Sequence, residues 1–559
     1  MLDNYAIADN FSLLGKLMDI HGDNSFKAKS YSSAAFTIEK LPVQLSTLPP
    51  DQIFALKGIG ESTGKKVVEQ LQTGKLSALE EYLAKTPPGI LEMLGIKGIG
   101  PKKIATIWKD LEIESIGELL YACEENRLTL YKGFGEKTQQ NIKESIQFYL
   151  GTLGRYLYQQ VEEYANQIDN KLKSVFGADT VILTGEFRRQ MEIINQLEWV
   201  FTGSVDQLIS FLQESGFVKN EHTDTHISFK GPENVRLVFY PTQKETSIAR
   251  VFETSCGEAF MEEWNRRFSW QPNGLFAFEE EIFNSVNICP IPPYQRETAD
   301  VIHAAEKNEL PSVILPEDIR GIIHSHSNWS DGSNTLEEMA KAAISKGLEY
   351  LVISDHSKSA FYANGLTEER IAAQHQQIDE LNQSLAPFKI YKSIESDILN
   401  DGSLDYSQEV LTSFDLVIAS VHSNLKMNEE KAMMRLLKTI ENPYTAILGH
   451  MTGRLLLSRN GYPVDHQKII DACAANNVVI ELNAHPRRLD VDWRWIEAAL
   501  KKNVLISIDP DAHDIDGFND CKYGVLVAQK AGLPKSKNLS SFSLEAFEKF
   551  VQHQKLKRP

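Results

Sequence analysis

Gly321-Ile322-Ile323-His324-Ser325-His326 ends a short apolar run in two histidines one residue apart, and Asp331 follows in the turn Ser330-Asp331-Gly332. Outward from this stretch the same arrangement repeats. Tyr350-Leu351-Val352-Ile353-Ser354-Asp355 closes on His356, Ile390-Tyr391-Lys392-Ser393-Ile394 on Glu395, and Leu416-Val417-Ile418-Ala419-Ser420-Val421 on His422. Ala446-Ile447-Leu448-Gly449 leads to His450, and Val504-Leu505-Ile506-Ser507-Ile508 leads to Asp511 and His513. Each run is short and rich in β-branched residues, and helical patterns separate the runs. Polar residues stand at or just past the C-terminal ends of the runs, which is where a βα-barrel carries its chemistry. Alternate residues of a strand share a face, so the pairs 324/326 and 511/513 are each expected to aim both side chains into one pocket.

A single histidine near a strand end is usually structural, and His303, His375, His466 and His485 are read that way, with His485 nearest the pocket through Asn483 and Arg488. The ordered series H-x-H, D, H, E, H, H, D-x-H is not what independent structural histidines produce. Mixed imidazole and carboxylate donors suit a site for several divalent metals. Asp509 rivals Asp511, but only Asp511 shares the i, i+2 face with His513.

The formal charge of −18 argues against a protein that coats DNA non-specifically, although residues 1–150 are close to charge-balanced and leave room for local phosphate contacts. Five scattered cysteines form no C-x-x-C motif, which fits a reducing cytoplasm. No stretch is apolar enough to cross a bilayer, and Met1-Leu2-Asp3-Asn4 begins neither a basic nor an apolar leader segment.

In the first 150 residues one motif recurs: Leu56-Lys57-Gly58-Ile59-Gly60, Ile96-Lys97-Gly98-Ile99-Gly100-Pro101-Lys102-Lys103 and Tyr131-Lys132-Gly133-Phe134-Gly135-Glu136-Lys137. Two glycines around an apolar residue let the chain turn tightly and present amide N–H groups at a helix start, a cradle for phosphate. One such turn is ordinary between helices. Three copies flanked by lysine predict DNA binding through Gly58, Gly60, Gly98, Gly100, Lys102, Gly133 and Gly135. The third copy, with Glu136 inside it, fits least well.

The opening Phe26-Lys27-Ala28-Lys29-Ser30-Tyr31-Ser32-Ser33-Ala34-Ala35, the repeated hairpins and Pro290-Ile291-Pro292-Pro293-Tyr294-Gln295-Arg296-Glu297 resemble a bacterial family X DNA polymerase, which is polymerase beta-like. The C-terminal part resembles the PHP (polymerase and histidinol phosphatase) domain fused to it. There the matching stretches include His324-Ser325-His326, Ser354-Asp355-His356, Ser420-Val421-His422, Gly449-His450-Met451-Thr452-Gly453-Arg454, Glu481-Leu482-Asn483 and Asp511-Ala512-His513. The resemblance implies a multidomain α+β and α/β chain. Residues 1–85 would be a helical DNA-end-binding domain, 86–150 a helical helix-hairpin-helix domain, and 151–300 a nucleotidyltransferase-like palm and thumb. A linker at 301–318 would lead into a distorted (β/α)7 PHP barrel at 319–559.

The palm departs from the family pattern. Family X polymerases carry Gly-Ser-x-Arg-Arg, then Asp-x-Asp, and a third aspartate on a later strand, because two Mg²⁺ ions need those carboxylates. Here Gly185-Glu186-Phe187-Arg188-Arg189 replaces the first motif, Gln196 and Glu198 take the places of the paired aspartates, and Arg236 falls at the third. Neutral and cationic side chains are poor Mg²⁺ ligands, so the palm is read as a folded remnant without polymerase activity. Glu192 with Glu198 is the alternative ligand pair that would rescue it.

For the barrel, the resemblance implies three divalent ions, Zn²⁺ and/or Mn²⁺. His324, His326, Glu395 and Asp511 would hold one, Asp331, His356 and His513 a second, and Glu395, His422 and His450 a third. Lys358 and Arg454 are candidate phosphate clamps. The expected function is a metal-dependent phosphoesterase of DNA repair, a 3′→5′ exonuclease acting on gapped, nicked or 3′ ends, with Glu395, Asp511 and His324 as catalytic residues. The alternatives are a histidinol phosphatase-like phosphatase of small monoesters, a DNA-binding scaffold, and a polymerase retaining gap filling. A monomer is expected, with no membrane partner.

Overall fold

The computed structural model describes residues 2–559 apart from 42, 57, 125–127, 129, 130, 153, 232–234, 271, 458 and 459. The chain divides into two compact units, Met1–Leu153 and Gly154–Pro559. In the first, helix Asn4–His21 starts on the Asp3 carboxylate, which accepts from Ala6 N, and stops at Gly22, whose φ of 80° ends the helical ladder. It packs on helix Ser25–Glu39, and a single hydrophobic core extends from Ile7 to Ile146.

The three hairpins share one geometry. Gly58, Gly98 and Gly133 have φ of 89°, 89° and 94°, a backbone conformation that a side chain disfavours. The residue between each pair of glycines, Ile59, Ile99 or Phe134, is buried and anchors the turn. Helices Glu61–Thr73, Pro101–Lys109 and Glu136–Thr152 begin immediately after Gly60, Gly100 and Gly135. All six glycines are exposed, so each turn offers helix-start amides to solvent. Lys57 lies outside the described residues.

The second unit opens with a five-stranded sheet of β1 (Val181–Thr184), β2 (Leu197–Phe201), β3 (Val218–His222), β4 (Ile227–Lys230) and β5 (Arg236–Pro241), in the order β1-β2-β5-β4-β3. Helices Tyr158–Phe176 and Val205–Glu214 supply Val161, Leu172, Leu208 and Leu212 to its core. Seven further strands follow: β6 (Gly321–Ile322), β7 (Tyr350–Ile353), β8 (Lys389–Asp397), β9 (Leu416–Ser420), β10 (Ile447–Leu448), β11 (Val479–Asn483) and β12 (Ile506–Asp509). They pair in sequence order and all in parallel. The two ends of this sheet meet through a bridge between Ser325 and Ala512, with His326 N donating to Ala512 O at 2.8 Å. The result is a nearly closed seven-stranded barrel. Helix Leu544–Leu556 plugs its N-terminal end, where the Phe547 ring stacks on Tyr350 at 4.3 Å. Chemistry is thereby confined to the C-terminal mouth.

Contrary to the expectation from strand alternation, the paired ligands do not lie on regular strands. Strand β6 stops at Ile322, before His324, and His324 and Asp511 sit at φ 59° and 52°. Left-handed backbone at two non-glycine residues costs of order 1–3 kcal/mol each and persists only where surroundings enforce it. Here it kinks both segments, so that Ala512 N can donate to His324 O at 3.3 Å. Kinks, not strand pleat, bring both pairs inward.

The sheet and the barrel of this unit are joined by buried polar contacts. Lys530 Nζ, with its side chain fully buried, donates to Arg189 O at 2.8 Å and lies 3.3 Å from Glu297. Glu192 accepts from the Trp493 indole at 3.3 Å and from Arg494 at 3.2 Å.

Asp520, which ends the short helix Asp516–Asp520 near the barrel mouth, has its carboxyl pushed up to about 7 by burial and by Asp514. The folded chain therefore keeps a proton that the unfolded chain, at its ordinary 3.8, has released, and stability falls as pH rises from about 4 to 7. Asp520→Asn is expected to flatten that slope and add about 1–2 kcal/mol at pH 8, after discounting for solvent access. Unfolding midpoints of both chains at pH 5 and pH 8 check this; a slope unchanged by the substitution would remove Asp520 as its source.

Candidate metal centre

Glu395, inside β8, is the hub of the barrel mouth. Its Oε1 lies 3.0 Å from His450 Nε2, 3.1 Å from His422 Nε2 and 3.2 Å from His324 Nε2, and its Oε2 lies 2.9 Å from His356 Nδ1. His326 Nε2 is 3.0 Å from Asp511 Oδ1, and His513 Nε2 is 3.4 Å from Asp331 Oδ2. Every ligand candidate named from the sequence thus reaches one connected cluster. His324, His326 and Glu395 are fully buried, whereas Asp331 and His513 have side chains 32% and 42% exposed, so the cluster opens to solvent on their side.

Three groups within it have ligand atoms close enough to share an ion: His326, Asp331, His356 and His513; His324, His326 and Asp511; and His356, Glu395 and His422. His450 joins none of these groups, although it touches Glu395.

The carboxylates of the cluster favour positive charge on the groups around them. Burial pushes the His422 imidazole down, but the Glu395 and Asp397 carboxylates reverse this and raise it to about 10. His513 rises likewise to about 9, against burial, through Asp331 and Asp511. His326 moves the other way, to about 3, because burial and the neighbouring His356 and His513 rings oppose a charge there. Asp331, which burial alone would raise, falls to about 2 beside His513 and His356. Glu395 Oε2, 2.9 Å from His356 Nδ1, and His324 Nε2, 3.2 Å from Glu395 Oε1, are buried in close approaches that lack hydrogen-bond geometry. Buried carboxylates and unpaired imidazole nitrogens converging on common points fit divalent cations with mixed nitrogen and oxygen ligands.

A supporting layer to which the sequence assigns no role orients these rings. His324 Nδ1 meets Glu481 Oε1 at 2.5 Å, and His422 Nδ1 meets Asp397 Oδ1 at 2.5 Å. A carboxylate behind an imidazole fixes which nitrogen faces the metal. Asn483 donates to Asp511 at 3.1 Å, and Asp355 gathers Ser327, Ser330 and Gln374. The i, i+2 spacing of Asp397 from Glu395 and the charge of Glu481 inside an apolar strand were available signals. Asp509, the rival to Asp511, accepts from Ser507 instead.

His375 packs edge-on to Phe414, His466 stacks on Trp495 and His303 lies 3.5 Å from Glu263, whereas the His485 ring accepts from Arg487 N at 3.2 Å and feels the charges of Asp511 and His513. Of the two clamp candidates, Lys358 pairs with Glu368 at 2.7 Å. The Arg454 guanidinium pairs with Asp492 at 2.6 Å and donates to the carbonyls of Arg488 and Leu489.

In the palm-like sheet, β2 and β5 run parallel with Leu197 opposite Leu237, which sets Gln196 and Glu198 alongside Arg236 and Val238. The Glu198 carboxylate is buried and accepts from Tyr240 Oη at 2.7 Å, Gln196 Nε2 at 3.1 Å and Glu186 N at 3.2 Å. Glu192 turns instead to Trp493 and Arg494, so it shares no partner with Glu198 among the described contacts. Arg236 pairs with Glu221 at 3.0 Å, Arg188 with Glu279, and Arg189 with Glu297 at 3.0 Å.

The barrel with this mouth is a PHP domain: the model of that family matches residues 323–485. A helix-hairpin-helix domain model matches residues 2–76, and a SAM-like helix-hairpin-helix tandem matches 90–147. The chain is 32% identical to the DNA polymerase/3′-5′ exonuclease PolX of Bacillus subtilis, over 96% of this chain and 97% of that one. A probable phosphatase of Caldanaerobacter subterraneus is 26% identical over 42% of this chain and 91% of its own length. One from Acetivibrio thermocellus is 31% identical over 29% of this chain and 64% of its own. The chain belongs to the family X DNA polymerases that carry a C-terminal PHP domain.

Proposed function

We propose that this enzyme is a metal-dependent 3′→5′ exonuclease of DNA repair and that its palm no longer extends primers. The convergence of His324, His356, His422 and His450 on the buried Glu395 carries the reading. The residues His324, His326, Asp331, His356, Glu395, His422, His450, Asp511 and His513 would hold three divalent ions, Zn²⁺ and/or Mn²⁺. When bound, such ions lower the pKa of a water and neutralise phosphate oxygens. Glu395, Asp511 and His324 would act as ligands of the ions that bind and polarise the reacting phosphate, with Glu395 shared between them. Glu481 and Asp397 hold the imidazole tautomers, and the closed barrel floor keeps bulk water to one side.

The exposed hairpin amides grip the phosphate backbone without reading sequence and deliver a gapped, nicked or free 3′ end. The domain division follows the sequence reading, with residues 1–85 and 86–150 binding DNA, 151–300 as palm and thumb, and 319–559 as the hydrolase. No helix among the described residues is long and apolar enough to cross a membrane, and the cysteines are all free, as a cytoplasmic enzyme requires.

The test is purified chain with Mn²⁺ and 5′-labelled DNA. Stepwise shortening is expected; intact DNA from protein of full metal content would overturn the assignment. The phosphatase relatives favour a second reading, hydrolysis of small monoesters, and turnover of para-nitrophenyl phosphate exceeding that of DNA ends would establish it. For the palm, no incorporation of deoxynucleotides at a one-nucleotide gap is expected, since the Glu198 carboxylate is occupied by Tyr240, Gln196 and Glu186. Incorporation that Glu198→Ala abolishes would restore the polymerase reading.

A further inference from the structure

Phe361 is 88% exposed, more than the other large apolar side chains of the described chain. A single exposed aromatic needs no explanation when its segment is loose. This one stands on a loop, residues 357–366, that is fastened along its length. Ser357 pairs with Leu366, whose N–H donates to His356 O at 2.9 Å, so the loop closes directly behind a ligand of the metal cluster. Ser359 donates to Asp405 through its amide at 2.6 Å and its hydroxyl at 2.5 Å, and Lys358 N donates to Tyr406 Oη at 3.0 Å. Arg370 binds Asn364 O at 2.7 Å and Gly365 O at 3.2 Å. Gly365 is obligatory: a Cβ there would lie 1.9 Å from Ser357 O.

The loop also flanks the open side of the cluster. Asn364 Nδ2 donates to Trp329 O at 3.3 Å and Ser330 O at 3.4 Å, the residues that lead into Asp331. Asp331 and His513 are the solvent-reached members of the site, and through Asn364 the loop adjoins the segment that carries Asp331. A rigid aromatic offers stacking area at little entropic cost on binding, and nucleobases stack on such rings regardless of sequence.

We propose that Phe361 is a stacking platform for the terminal base of a DNA 3′ end, holding the last nucleotide so that its phosphodiester lies at the metal cluster. The inference rests on the exonuclease reading and adds the residue that distinguishes a nucleotide from a bare phosphate ester. The platform makes no base-edge hydrogen bonds, so it accepts any base and fails only when the base is missing.

The experiment uses the full chain with Mn²⁺ and two 5′-labelled single strands, one ending in a 3′ purine nucleotide and one ending in a base-less 3′ residue. Wild type is expected to prefer the first about tenfold in kcat/KM, chiefly through KM. Phe361→Ala is expected to erase that preference, and Phe361→Trp to keep it. A second readout is independent of turnover. On a strand whose last linkage is a cleavage-resistant phosphorothioate, with Mn²⁺ present, a 3′-terminal 2-aminopurine should lose fluorescence on binding with Phe361 present and keep it with Phe361→Ala. A preference that survives Phe361→Ala, or an equal loss on both strands with unchanged 2-aminopurine quenching, overturns the proposal. If wild type shortens neither strand, yet 2-aminopurine is quenched in a Phe361-dependent way, the exonuclease reading fails while the platform stands.

Discussion

Glu395→Gln is expected to reduce 3′-end shortening by ~10³-fold while DNA affinity stays near that of the parent chain. The substitution preserves volume and removes one charge, at the point where four imidazole nitrogens lie within 3.2 Å of the carboxylate. Losing a mere supporting partner of a metal ligand typically costs about 10- to 100-fold, and a bridging ligand should cost more. The amide retains one acceptor oxygen but turns an N–H₂ donor toward rings whose lone pairs would face a cation. Bound metal, measured by elemental analysis of the purified variant, should fall in parallel. Shortening within tenfold of wild type would show that Glu395 is not the bridge. Fluorescence anisotropy with a labelled duplex separates this from lost binding, because the hairpin glycines lie in a different compact unit from the barrel.

Asp355→Ala should lower stability more than other single changes around the mouth and should also slow hydrolysis. The Asp355 carboxylate is fully buried and accepts from Ser327 N at 2.8 Å, Ser327 Oγ at 2.7 Å, Ser330 N at 3.2 Å, Ser330 Oγ at 2.5 Å and Gln374 Nε2 at 2.6 Å. Alanine leaves these buried donors without an acceptor, at about 1–3 kcal/mol for each that cannot rotate or relax away. Allowing the two hydroxyls and the amide side chain to turn, a loss of about 3–5 kcal/mol is expected. The Ser327–Ser330 turn presents Asp331 to the cluster, so activity should fall about 10- to 100-fold even where the chain remains folded. Thermal unfolding and Mn²⁺-dependent turnover at a temperature well below the variant's midpoint separate the two effects. Asp355→Asn, which keeps one acceptor oxygen, should lie between. Full activity in folded Asp355→Ala would mean that the turn holds its shape without the carboxylate.

The barrel was legible because six of its seven strands are short apolar runs with a candidate metal ligand within them or just past their ends, a pattern that survives without tertiary knowledge. The hairpins were legible for a related reason. A positive φ at Gly98 and Gly133 is a local demand that the residue type announces. The carboxylates behind the ligands were harder to see. Glu481 and Asp397 act through His324 and His422, which are 157 and 25 residues away in the chain; the i, i+2 placement of Asp397 beside Glu395 and the charge of Glu481 in an apolar strand hint at a role without naming the imidazole each one meets. The clamp candidates show the converse. Lys358 and Arg454 have the right charge for phosphate, but charge in a sequence does not reveal that Glu368 and Asp492 already neighbour them.

What the amino-acid order determined alone was the inventory: which side chains carry nitrogen and oxygen donors, which turns require glycine, and that parallel strands alternate with helices. Tertiary structure decided the rest, because distances between residues hundreds of positions apart depend on how strands close into a barrel. The bridge from Ser325 to Ala512 and the left-handed kinks at His324 and Asp511 bring both ends of the sheet to one pocket. Such kinks carry a local energetic cost that only the surrounding packing can hold in place, so they cannot be read from the residues that bear them.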